Sequence, residues 1–357
     1  MSLFLGTNKD GSFKTTDSFQ HTILFAPTGS GKGVAYILPN LLSCEDSVIC
    51  HDIKGENYEI TKKYRQSIGQ KVFFFDPLNQ STNKYNPFDF IEKKDKNKMY
   101  SDVEKIAHLL IDKNEIEDVL ARRLLIDTAL DLLNKNSKTS FGEILEKINQ
   151  SEEDIAIYLQ KYLEPWSNPL VRNATSSSDF DLRKFRDEKS TLYVIVNNNN
   201  INRLQPLLKF MYQHFFDILT SQPHDEIKDK SGVRFFLDEF TTLGKMKELE
   251  LGIGYFRGYK IGLFLTVQNL QQLQSAYGDD AISLINNASF RISFHANDFE
   301  TANFVSNLCL NQDGFSWKDL ISLPKDEMIY FDEHSQAIKQ KKFKYFENEE
   351  FKKRVDL

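Results

Sequence analysis

No window of the sequence approaches the roughly 18 consecutive apolar residues that a membrane-spanning helix needs, so nothing in it is expected to cross a bilayer. The opening Met-Ser-Leu-Phe-Leu is too short for a signal peptide and lacks a basic flank. Cysteine is scarce. Cys44, Cys50 and Cys309 show neither metal-ligand spacing nor a disulfide framework, which fits reduced thiols in a cytoplasmic compartment. An excess of positive charge is also missing: 45 Lys and Arg stand against 51 Asp and Glu, a net charge of −6. That balance argues against a general nucleic-acid coat but leaves room for a local basic channel surface. There is no internal repeat, and no low-complexity segment beyond the run Asn197–Asn200.

What remains is an ordinary globular composition, 40% hydrophobic and 27% charged, over 357 residues. That length predicts two domains, or one large α/β domain carrying an insertion. The 29 phenylalanines fall mostly in strand-like runs such as Val72 to Phe75, and core is their default place. Short, nearly continuous apolar runs predict strands at His21–Ala26, Ser47–Asp52, Lys71–Asp76, Thr191–Val196, Arg234–Leu237, Ile261–Val267 and Phe290–Phe294. Helical patterns fit Val34–Leu42, Glu56–Arg65, Arg203–Leu219 and Asp298–Leu308, with a kink or early stop at Pro39. This alternation predicts an α/β fold with a mainly parallel central sheet, and ligands at the carboxyl ends of its strands. Between Ile91 and Glu188 the strand signal disappears. Ala121, Leu125, Ala129 and Leu132 recur as one helix face, and Phe141–Ile148 and Ile155–Leu163 follow. The expected organisation is therefore a nucleotide-binding unit from residues 1–90 and 189–357, interrupted by an all-α insertion at 91–188. Padding, a lid and a partner-binding module all fit such an insertion. The tail Lys339 to Asp356 mixes Lys, Glu and aromatics, and reads as a solvated helix or arm.

The chemistry starts in the segment His21 to Gly33, HTILFAPTGSGKG, a strand that breaks into a glycine-rich loop before a helix. That is the context of a phosphate-binding loop. Thr28, Gly29, Ser30, Gly31, Lys32 and Gly33 are its candidate nucleotide-binding residues, with backbone N–H groups wrapping a polyphosphate and Lys32 on the outer phosphates. Two positions depart from the strict pattern. Ala26 stands where the first Gly belongs, and Gly33 replaces the Ser or Thr whose hydroxyl normally reaches Mg²⁺. Gly232 to Phe240, GVRFFLDEF, is a buried-type strand ending in Asp238-Glu239. In a P-loop ATPase such an Asp holds Mg²⁺, and the adjacent Glu can take a proton from the attacking water. The strand Ile261–Val267 ends at Gln268, which suits a water-orienting or γ-phosphate-sensing residue and equally a polar cap at a strand end.

Taken together, these segments resemble the TraG-type coupling proteins of type IV secretion, ATPases of conjugation machines. APTGSGKG with ILPNLL resembles the family's loop, including Gly after the Lys. Asp52-Ile53-Lys54-Gly55-Glu56-Asn57 resembles its second block and Tyr85-Asn86-Pro87-Phe88 its third. FFLDEFTTLGKM, FRGYKIGLFLTVQNLQQL and FRISFHANDFETANFVS match its later blocks, so the likeness runs from about residue 20 to 310.

The resemblance implies a RecA-like P-loop NTPase with an inserted all-α domain, binding ATP and Mg²⁺ and assembling as a homo-hexameric ring with nucleotide between neighbours. Lys32 takes the phosphate role, Asp238 the metal role, Glu239 the catalytic base and Gln268 the sensor. Arg257 is the candidate for an arginine supplied in trans, with Arg291 the alternate. The insertion would face the cytoplasm and recognise secretion substrates, a relaxase–DNA complex or effector proteins; other secretion components and single-stranded DNA are the further partners implied. The implied location is the cytoplasm at the inner face of the bacterial inner membrane. The membrane helices with which family members begin are missing here, which implies a truncated chain or a soluble relative and allows a monomer. Gly33 leaves Mg²⁺ to Asp238, phosphates and water, so weak Mg²⁺ affinity and slow turnover are expected. A docking platform that binds nucleotide with little hydrolysis, and a DNA pump of the chromosome-partitioning or virus-packaging kind, remain as alternatives.

Overall fold

The computed structural model describes residues 3–8, 12–135, 138–309, 314–332 and 334–357. A small hairpin, β1 (Leu3–Thr7) with β2 (Phe13–Thr16), precedes the main sheet. The sheet itself has nine strands. In chain order these are β3 (His21–Phe25), β4 (Ser47–Asp52), β5 (Lys71–Phe75), β6 (Ser190–Ile195), β7 (Val233–Leu237), β8 (Ile261–Val267), β9 (Ala288–Ser293), β10 (Glu327–Phe331) and β11 (Ala337–Lys341). In space the order is β11-β10-β9-β3-β8-β7-β4-β6-β5. Every pairing from β9 across to β5 is parallel, and β10 and β11 add an antiparallel edge. β3, β4, β7 and β8 are buried along their whole length, as expected of nearly continuous apolar runs covered on both faces.

Helices cover those faces. β3 leads through the glycine-rich loop into a π-helical turn, Gly33–Ile37, and α1 (Leu38–Leu41). β4 leads into α2 (Glu56–Ser67). Between β5 and β6 lie α3 (Lys96–Leu110), α4 (Ile116–Asn134), α5 (Phe141–Ile148), α6 (Asp154–Leu163) and α7 (Pro169–Ala174), and β6 continues into α8 (Asn198–Thr220). Ala121, Leu125 and Ala129 of α4 are buried, but the face closes on Leu133 rather than Leu132. The apolar side chains of α3 to α7 form one continuous cluster with those of α8 and one face of the sheet. No helix among the described residues is long and apolar enough to cross a membrane.

Several expectations shift. The helix after the loop is not regular through Leu42. It opens as a wide turn, and Pro39 falls where that turn passes into α1. The helix expected at Arg203–Leu219 begins at Asn198, because the asparagine run starts the helix instead of ending a strand. The tail is not a solvated arm. Ala337–Lys341 pairs with β10, and the ring of Phe351, in the C-terminal helix Glu349–Val355, is fully buried. The three cysteines are buried and unbridged.

Candidate functional site

The carboxyl ends of β3, β8 and β7 lie side by side because these strands are parallel neighbours. From the end of β3 the chain turns through Thr28–Lys32. Gly29 and Gly31 take left-handed φ angles of +74° and +85° there, which a side chain would disfavour. Lys32 then projects to the end of β7. Its Nζ lies 2.6 Å from Glu239 Oε1 and 3.0 Å from Asp238 Oδ1. All three groups are largely but not wholly buried, so a ligand can reach them. They line a cleft of about 270 Å³ with Thr28, Gly29, Gly31 and Gly33 from the loop.

β8 fixes the acidic pair. Thr266 Oγ1 donates to Asp238 Oδ1 at 2.7 Å and accepts the Glu239 N–H at 2.8 Å. Glu239 has φ +48° and ψ +48°, a left-handed conformation unusual for a residue with a side chain. Such strain persists only where surrounding contacts enforce it, and it aims the Glu239 carboxylate at the glycine loop. Across the cleft, Asp52 ends β4. Its carboxylate accepts the N–H groups of Gly55 at 3.0 Å and Tyr58 at 2.8 Å. Burial raises its pKa to about 6 despite these hydrogen bonds. Ile53, Lys54, Glu56, Asn57 and Asn198 complete the wall.

Of the residues singled out from the sequence, Thr28, Gly29, Gly31, Lys32, Gly33, Asp238 and Glu239 converge on this cleft. Ser30 lies in the same loop but does not line it; its hydroxyl is buried without a partner among the described residues. Gln268 directly follows β8, at the same edge of the sheet but outside the cleft wall. Arg257 is elsewhere. It is exposed in the turn Phe256–Tyr259 before β8, at the amino ends of the strands, about 20 Å from the loop by the length of a seven-residue strand. Arg291 is occupied inside the chain, donating to the Ile285 carbonyl at 3.2 Å and to Ser335 Oγ at 3.3 Å.

His21, the first residue of β3, connects the two edges. Its Nε2 is 2.9 Å from the Ile253 carbonyl, and its Nδ1 accepts the Leu263 N–H at 3.2 Å, so the proton sits on Nε2. Burial, seconded by the charge of Arg257, lowers its pKa to about 4. Thr266, Asp52 and Asn198 were not anticipated as site residues. Thr266 had a signal of its own, since a threonine inside the all-apolar run GLFLTV needs a hydrogen-bond partner.

The residues present fit a nucleoside triphosphate with Mg²⁺. A cation, a loop held open by two left-handed glycines and a carboxylate pair meet at this cleft. The fold is that of a RecA-like P-loop protein, with the loop strand and the acidic strand separated by one intervening strand.

The sequence model described as type IV secretory system conjugative DNA transfer matches residues 3–156 and 127–312, and the chain belongs to that family. It is 28% identical over 339 residues to protein VirD4 of Rhizobium radiobacter, covering 83% of this chain and 49% of that protein. It is 26% identical over 363 residues to the conjugal transfer protein TraG of Escherichia coli, covering 84% and 57%. The chain thus spans about half the length of the curated relatives it matches. Among solved structures, the plasmid coupling protein TrwB in complex with ADP and Mg²⁺ aligns with a TM-score of 0.73 at 16% identity, over 96% of this chain and 90% of that one.

Proposed function

We propose that this chain is the motor portion of a type IV coupling protein, binding ATP with Mg²⁺ and hydrolysing it in a ring to drive recruited substrates into the secretion channel. The observation that carries this reading is the meeting of Lys32 with Asp238 and Glu239 beside the glycine loop. Thr28 to Gly33 would hold the phosphates, and Asp238 would hold the metal. Bound Mg²⁺ supplies charge neutralisation at the phosphates. Lys32 cannot serve the acidic pair and the phosphates equally. Outer phosphates draw its ammonium away, which frees the Glu239 carboxylate to accept a proton from water. Nucleotide arrival would itself arm the base. Thr266 keeps the Glu239 backbone in place while that exchange happens.

Arg257 lies too far to serve its own cleft, which supports a role on a neighbour's nucleotide and hence a ring. His21 ties the Arg257 segment to the loop strand, so the two edges share one rigid element. The helices between β5 and β6 are read as the substrate-recognising unit, spanning residues 91–188. Exposed Ile116, Val119 and Leu120 form an uncovered apolar stripe on α4 that supports contact with a secretion substrate there. Family membership and the cytoplasmic substrates it implies support a place at the inner face of the bacterial inner membrane.

Fluorescent-ATP binding together with turnover tests the reading. Lys32→Met should lose binding by at least about tenfold, whereas Glu239→Gln should bind ATP and lose turnover by about 10²-fold or more. Equal ATP affinity in wild type and Lys32→Met would contradict it.

A further inference from the structure

The tail makes a contact that the functional reading leaves unused. Lys342, directly after β11, is only 7% exposed. Its Nζ donates to the Ser30 carbonyl in the glycine loop at 3.0 Å and lies 3.6 Å from the ring centroid of Phe294. Phe294 is in turn held beside the loop strand, its N–H donating to the Phe25 carbonyl at 2.9 Å. Further along, Arg354 donates to the carbonyl of Leu42, the residue that closes α1. The ring of Phe351 packs with those of Phe4, Phe13 and Phe343 in a cluster that includes Leu42 and Tyr64. The tail therefore grips the segment Ser30–Leu42, the glycine loop and the helix behind it, at both ends.

We propose that Ala337–Val355 is a strap whose docking and nucleotide binding at the glycine loop reinforce each other, with Lys342 as the positioning residue that couples them. The inference rests on the nucleotide reading of the cleft. A buried ammonium hydrogen-bonded to the loop backbone holds the loop in shape. Phosphate charge bound on the loop's other side stabilises that ammonium in return. By reciprocity, whatever docks the strap tightens nucleotide, and nucleotide docks the strap. Burial lowers the Lys342 pKa to about 8, against the charge of Asp326. His295 also faces this group, and its pKa is lowered by burial, by Lys342 and by Lys325. At pH about 8.5 part of Lys342 is neutral, so nucleotide binding should take up a proton there.

The test is fluorescent-ATP titration of the full chain, with calorimetry in two buffers at pH about 8.5 and hydrogen exchange with and without ADP. For folded Lys342→Met we expect about five- to tenfold weaker binding, no proton uptake, and exchange at 337–355 that ignores ADP. Lys342→Arg should restore affinity. Arg354→Ala should weaken binding yet keep the proton uptake. Wild type that binds while Lys342→Met binds equally, or a strap indifferent to ADP in wild type, overturns the strap alone. Wild type that binds no ATP overturns the nucleotide reading, and the strap with it.

Discussion

At the scale of single residues, the site shows its purpose where it breaks local rules. Glu239 occupies a left-handed backbone region that glycine would adopt without strain. Glu239→Gly should therefore be more stable than Glu239→Ala, which loses the same carboxylate, by about 1 kcal/mol in denaturant unfolding, with turnover abolished in both. A glycine variant no more stable than the alanine variant would show that the conformation carries no strain. Gly33 stands where a hydroxyl to Mg²⁺ is usual, and its backbone leaves room, since an added Cβ meets nothing within 4 Å. Gly33→Thr should thus lower the Mg²⁺ concentration for half-maximal turnover and raise the rate. An unchanged Mg²⁺ titration would count against the metal role assigned to this end of the cleft.

At the scale of elements, β8 is the bar between loop strand and acidic strand, and Thr266 is its working residue. Thr266→Val removes one hydroxyl and leaves the Glu239 N–H without its partner, which should cost about 1–3 kcal/mol of stability and lower turnover more than ATP affinity. Buried histidines set the acid limit of the sheet. His21 and His51 are held at a pKa of about 4 and His214 at about 3, in each case chiefly by burial. An unfolded histidine titrates near 6.5, so the unfolded chain binds more protons below that pH. Stability from these groups is complete above pH about 6.5 and is lost as pH falls toward 4. Asp52, raised to about 6, works in the opposite sense between pH about 6 and 4, but one carboxyl does not offset three imidazoles. Melting temperature should fall steadily from pH 6.5 to 5; a flat profile would contradict these burials.

The parallel strands β3 to β9 were legible because each carries a short, nearly continuous apolar run, a pattern that needs no knowledge of its neighbours. Loop and acidic pair were legible for the same local reason. β1, β10, β11 and the strap were not. β1 and β10 are short apolar runs outside the strand–helix alternation, β11 is half polar, and what orders the strap is ring packing with partners hundreds of residues away, such as Phe343 against Phe4. Thr266 signalled only that it needs a partner, and Lys342 signalled nothing, because the folded sheet alone brings them to Asp238 and to Ser30.

At the scale of the whole molecule, cleft and Arg257 lie on opposite edges of one sheet, joined by β3 and His21. On the proposed reading, one chain would present a phosphate site on one edge and the exposed Arg257 guanidinium on the other, the arrangement a ring of identical subunits needs. An arginine acting on a neighbour's phosphates is worth about 10³–10⁵ in rate in other NTPases, so assembly should dominate turnover. The most direct measurement is ATP turnover against protein concentration for wild type, Glu239→Gln and Arg257→Ala, with and without single-stranded DNA. Rates that rise faster than linearly in wild type and vanish in both variants are the predicted result. Turnover strictly proportional to concentration, and intact in Arg257→Ala, would contradict a motor whose active sites form between subunits.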